Sequence, residues 1–120
     1  MLTVACVFKS FAGTAFGHSY DATWVQKLAS GAARHLTVPH RFVCLTNMGE
    51  IEGVETIPLS NDWPGWWSKV EMFRPGLFDG PVLSFDLDVL FTGNIDHMAG
   101  PFDSMVMLHD VVPGVRNSTC

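Results

Sequence analysis

Four stretches of this chain, 3–8, 42–46, 54–58 and 82–85, are strand-like and rich in Val, Phe and Leu with little strict alternation, and a fifth follows at 105–108. A strand with one wet face alternates apolar and polar side chains, whereas an unbroken run suits a strand covered on both faces. Between the first two runs the period changes. Over 20–36, Trp24, Val25, Leu28, Ala32 and Leu36 share one helical stripe, Ser19 or Asp21 is placed to cap it, and Pro39 follows its end. A second helix is expected from Gly65, carrying Trp67, Val70 and Phe73 as its apolar positions until Pro75. Strands and helices in this order predict an α/β fold, a mainly parallel sheet with flanking helices.

The 120 residues form one expected domain, 1–120, without repeats or linkers. A composition of 48% hydrophobic and 16% charged residues argues for a packed core rather than disorder. No stretch approaches the ~20 apolar residues of a membrane helix. The opening MLTVACVFKS has no basic lead and too short an apolar run for a signal peptide, so a cytoplasmic location is expected. Net charge is −5 and the seven Lys and Arg are scattered, which disfavours nucleic acid as a partner. An acidic chain can still hold a diphosphate if a divalent cation mediates the contact. Cys6, Cys44 and Cys120 fit neither a disulfide framework nor zinc spacing; Cys6 and Cys44, inside apolar runs, are expected to be buried, reduced thiols.

The fourth run ends in "FDLD", with Asp86 and Asp88 one residue apart. If the strand order is 3-2-1-4, the switch point of the sheet lies between strands one and four, and ligands of such sheets bind beyond the carboxyl ends there. That edge gathers residues 9–13 and 86–88. Alternation in an extended chain would turn Asp86 and Asp88 to one side and Leu87 into the core. Two such carboxylates suit Mg²⁺ or Mn²⁺, with substrate phosphates completing the shell. The plain alternative is a pair of solvated loop acids, since D-x-D alone is weak. "FDLD" also matches the nucleophile motif of haloacid-dehalogenase-type phosphatases. That motif belongs on a first strand with a lysine downstream, and the 32 residues after Asp88 contain none.

Three tracts carry a wider resemblance: "HRFVCLTN" at 40–47, "WPGWWSKVEMFRPGLFDGPVLSFDLDVLFTGNID" at 63–96, and "NS" at 117–118. Together they resemble a bacterial family of GT-A-fold glycosyltransferases, distant relatives of the glycogenin-like enzymes. The resemblance implies a Rossmann-like nucleotide-diphospho-sugar transferase fold, of which this chain would be the N-terminal part. It implies a nucleotide-sugar donor, a uridine diphosphate sugar, and an acceptor the sequence does not identify. Asp86 and Asp88 would hold Mn²⁺ or Mg²⁺. Lys69 and Asp88 would serve at the catalytic centre. Lys9, Ser10, Asn47, Trp67, Lys69, Asp86, Asn117 and Ser118 would bind the donor.

Each of these has a bland reading beside it. Lys69 and Arg74 could be solvated helix residues, and among Trp63, Trp66 and Trp67 at least one should fill the core. "KSFAGTAFG" is not a P-loop, lacking the G-K-[ST] ending, and Tyr20 could anchor the helix rather than stack on a base. Asn47 stands where many relatives have aspartate, and Ser84 where a bulkier aromatic residue is frequent. The five histidines show no metal-binding spacing. A full GT-A domain runs on for roughly as many residues again, so the chain reads as a shortened or a minimal relative. A transfer-incompetent nucleotide-sugar-binding remnant is the competing function, and an uncovered sheet edge gives reason to expect self-association.

Overall fold

The computed structural model describes residues 2–9, 21–61, 65–100, 105–106, 108–109 and 116–117. Four strands, β1 (Leu2–Phe8), β2 (His40–Thr46), β3 (Glu55–Pro58) and β4 (Val82–Ser84), form one sheet in the order β3-β2-β1-β4. All three pairings are parallel. The α/β architecture expected from the runs is present, and the strand order is the 3-2-1-4 that placed the switch point between strands one and four. β1 lies between β2 and β4, and all its residues but the half-buried Val7 are buried; Val4, Ala5 and Cys6 have no exposure at all.

Helix α1 (Ala22–His35) connects β1 to β2. Asp21 caps it, its carboxylate accepting from the Thr23 N–H at 3.0 Å and from the Thr23 hydroxyl. These bonds, the hydroxyl's first, hold the Asp21 carboxyl below its usual pKa. Val25, Leu28, Ala32 and Leu36 bury their stripe against Leu2, Val4, Cys6 and Phe8 of β1 and Cys44 of β2, with Phe85 and Ile95 closing the same cluster. Trp24, expected on that stripe, is only half-buried at its edge. Cys6 and Cys44 face each other in register, both buried and both free thiols. The neighbouring Cys44 and the burial push the Cys6 thiol well above its usual pKa, which keeps it protonated and inert.

Two expected elements take another form. The segment Gly65–Phe73 is a nine-residue 3₁₀ helix. The run at 105–108 does not join the parallel sheet: Met105 and Val106 lie outside any strand and are exposed, while β5 (Leu108–His109) pairs antiparallel with β6 (Arg116–Asn117) in a separate two-stranded sheet. An apolar run of four residues carries no information about its partner, and here the nearest pairing came from further along the chain. No helix among the described residues is long and apolar enough to cross a membrane.

Candidate functional site

Parallel pairing from β1 to β4 stops early, at Ala5 with Ser84, extended by one bond from the Phe85 N–H to the Ala5 carbonyl at 3.1 Å. β1 runs on to Phe8 beside Thr46 of β2. The carboxyl edge of the sheet is therefore stepped, with Asp86 leaving it one residue after Phe85 and Lys9 and Asn47 lying beyond the ends of β1 and β2.

Residues 86–89 close a turn, the Val89 N–H reaching the Asp86 carbonyl at 3.3 Å. The strand is thus shorter than the sequence suggests, and a turn replaces the extended chain expected to carry the two aspartates. Phe85 is buried, and Leu87, Val89 and Phe91 pack on the core cluster, while Asp88 and Leu90 are exposed and Asp86 is partly so. Asp88 is thus open to water, and Asp86 is half-buried against Lys69. The segment is pinned downstream as well. Phe91 meets Phe85 edge-on at 4.9 Å and lies so close to α1 that a Cβ on Gly31 would sit 3.0 Å from its ring. Glycine costs a helix interior about 1 kcal/mol relative to alanine, and here it makes room for the ring. Beyond it, the Ile95 N–H donates to the His35 carbonyl at 2.8 Å, and Asp96 accepts from the Thr37 N–H at 2.7 Å and from the Thr37 hydroxyl. Those bonds, the hydroxyl's first, hold the Asp96 carboxyl below its usual pKa.

Opposite the turn stands the 3₁₀ helix. With three residues per turn, its side chains fall into three rows. Trp67, Val70 and Phe73 form an exposed row; Ser68 and Glu71 form a buried one; Lys69 and Met72 form the third, half-buried. From that third row Lys69 makes an ion pair with Oδ1 of Asp86, and Met72 Sδ lies 3.4 Å from the Ser84 hydroxyl. The expected apolar face of this helix is therefore its outer one. Its inner row is polar because the loop it must hold is backbone. Glu71, 1% exposed, accepts from the Ser60 and Asn61 N–H groups at 2.7 and 3.2 Å. Arg74 completes the clamp, donating to the Pro58 carbonyl at 3.1 Å and to the Ser60 hydroxyl, with its Nε 3.6 Å from Glu71. Arg74 is thus engaged in holding the β3 exit, which accounts for it without a phosphate. Neither Glu71 nor its role was legible in the sequence, where a carboxylate beside Lys69 and Arg74 reads as a solvated one.

The structure brings together Lys69 and Asp86, with Asp88 two residues along the same turn. Lys9 is buried just past β1, and Asn47 is exposed past β2. Trp67, 68% exposed, lies on a different row from Lys69. Asn117 is in β6, whose side chains are outside the described residues, as are Ser10, Ser118, Tyr20 and Trp63. Among the described residues no three His, Cys, Asp or Glu side chains gather in one place. The fit of a divalent cation therefore rests on two carboxylates. Both are oxygen donors, both have access to water, and Mg²⁺ and Mn²⁺ are commonly held by one or two carboxylates plus phosphate and water. That a cationic nitrogen already rests on Asp86 marks the position as one that favours positive charge. Two carboxylates are oxygen donors of the kind such an ion takes. The chain matches no protein-family model, no curated protein and no solved structure.

Proposed function

We propose that this chain is a metal-dependent glycosyltransferase domain of the GT-A type, taking a sugar from a nucleotide diphosphate donor, uridine diphosphate by resemblance, to an acceptor. The observation that carries the reading is the Lys69–Asp86 pair, at the carboxyl edge beside the central strand of a β3-β2-β1-β4 parallel sheet. Open parallel sheets bind their ligands at that edge. The partners of this edge, an acidic turn and a lysine, are chemically matched to a diphosphate with its counter-ion.

A sugar transfer needs a good leaving group. A divalent ion held by Asp86 and Asp88 would act as a Lewis acid on the departing diphosphate. Lys69 would meet a phosphate oxygen as a compact point charge. Lys9, Ser10 and Asn47 would contact base and ribose past β1 and β2, and Asn117 and Ser118 the sugar. The exposed Trp67 indole offers a stacking face from the neighbouring row of the helix. The two aspartates need not exchange protons in this scheme.

The exposure of Asp88 and Trp67 favours a second reading in which donor is bound and not turned over, because a transfer site works best when water is kept out. Calorimetry with uridine diphosphate, with and without Mn²⁺, tests the shared part of both. Affinity should rise clearly with metal, and Asp88→Asn should remove most of that rise, an amide being a poor ligand for a hard cation. Equal affinity in both conditions would overturn the assignment of the aspartates. Donor consumption in the presence of Mn²⁺ then separates transferase from binder.

A further inference from the structure

We infer that Lys69 is the resident counter-cation of Asp86, and that a divalent ion gains this carboxylate only by releasing the Lys69 ammonium, which is thereby handed to the incoming diphosphate. The inference rests on the proposed function for the identity of the ligands, and on the Lys69–Asp86 ion pair for the competition.

Three observations carry it. The ammonium sits on Oδ1 of Asp86 itself, so an ion on that carboxylate would have a like charge as its nearest neighbour. The pair is only part-buried, with Lys69 and Asp86 side chains 32% and 26% exposed, so exchanging one cation for another does not strand a charge in the dry interior. Finally, the helix beneath Lys69 is held: Glu71 and Arg74 tie it to the β3 exit. The exchange therefore falls to the flexible four-carbon lysine stem and not to the backbone. A lysine released beside a metal-bound diphosphate would find phosphate oxygens in place of the carboxylate. One side chain would thus oppose metal alone and favour metal with diphosphate.

The sign reversal is the test. Mn²⁺ alone is titrated into the full chain, followed by water-proton relaxation, and uridine diphosphate is then titrated at saturating Mn²⁺ by calorimetry. Lys69→Met keeps the length of the side chain and removes its charge. It should bind Mn²⁺ roughly two- to fivefold tighter than the parent, the span that a part-exposed ion pair covers, while binding the diphosphate more weakly. Lys69→Arg, which keeps the charge, should bind Mn²⁺ no tighter than the parent. If Lys69→Met and the parent take Mn²⁺ equally, or the variant takes it less well, the competition is wrong while the metal site stands. If neither protein nor Lys69→Arg binds Mn²⁺ at all, the proposed function fails and the inference with it. Circular dichroism of each variant separates either result from loss of fold.

Discussion

The two helices beside the sheet solve opposite problems. α1 buries an aliphatic stripe, Val25, Leu28, Ala32 and Leu36, on β1 and β2, and leaves its charges in water. The 3₁₀ helix Gly65–Phe73 buries Ser68 and Glu71 and leaves Trp67, Val70 and Phe73 outside. α1 adds to the hydrophobic core, where area removed from water sets the free energy at about 25 cal/mol per Å². The 3₁₀ helix holds a loop, and unpaired backbone N–H groups are satisfied by a carboxylate and not by a leucine. The difference shows that polarity along a short helix does not by itself say which side is inside. It also explains where Lys69 stands: on the row between, half-buried, where a charge keeps access to water and to its partner Asp86.

The largest expected effect comes from cutting the α1 stripe. Leu28→Ala, at a site 2% exposed, should lose about 2–5 kcal/mol of stability to urea unfolding, through lost transfer energy and the cavity left behind. The same truncation at Phe73, 67% exposed, should stay within about 0.5 kcal/mol. Equal losses at the two positions would mean that the outer row of the 3₁₀ helix is covered in solution.

Glu71→Ala should cost less than the core cut but well above a surface change, about 1–3 kcal/mol, because the Ser60 and Asn61 N–H groups lose their acceptor. Amide exchange at Ser60 and Asn61 should accelerate more than exchange in α1. A variant as stable as the parent, with both amides still protected, would remove the clamp from the comparison.

The smallest effect separates the two helices by pH. α1 is tied at its start by Asp21 and past its end by Asp96, both with carboxyls held below their usual pKa by threonine bonds. A depressed folded-state pKa contributes stability that is whole above the unfolded value, near 3.9 for aspartate, and is lost as pH falls through the folded value. The urea midpoint should therefore hold steady down to about pH 5 and fall below pH 4. Asp96→Asn should flatten that acid limb. An unchanged limb in this variant would assign acid sensitivity to other groups.

Particular residues show how far a sequence reading reaches. The runs at 3–8 and 42–46, the α1 stripe and the Asp21 cap were legible because local pattern and burial agree there, whereas 54–58 and 82–85 form the expected strands at the sheet edges, partly exposed and not covered on both faces. The acidic turn at Asp86 and Asp88 was legible as a position, the core taking Phe85 with Leu87 and Val89 packed against it and leaving Asp88 exposed. The run at 105–108 misled, since four apolar residues specify no partner strand. Lys69 was legible as a candidate, but not its companion, and Arg74, readable as a solvated helix residue, is engaged in a clamp.

What local sequence determined is thus the set of elements whose period and caps speak for themselves: a parallel α/β sheet, its first helix, and an acidic turn after its fourth strand. What only the tertiary structure decided is which side of the second helix faces inward, and with it the pairing of Lys69 to Asp86. The reason is physical. Hydrophobic periodicity records where apolar area is buried, whereas a helix docked through backbone hydrogen bonds is oriented by N–H groups of a distant loop, and those leave no mark in the side-chain pattern.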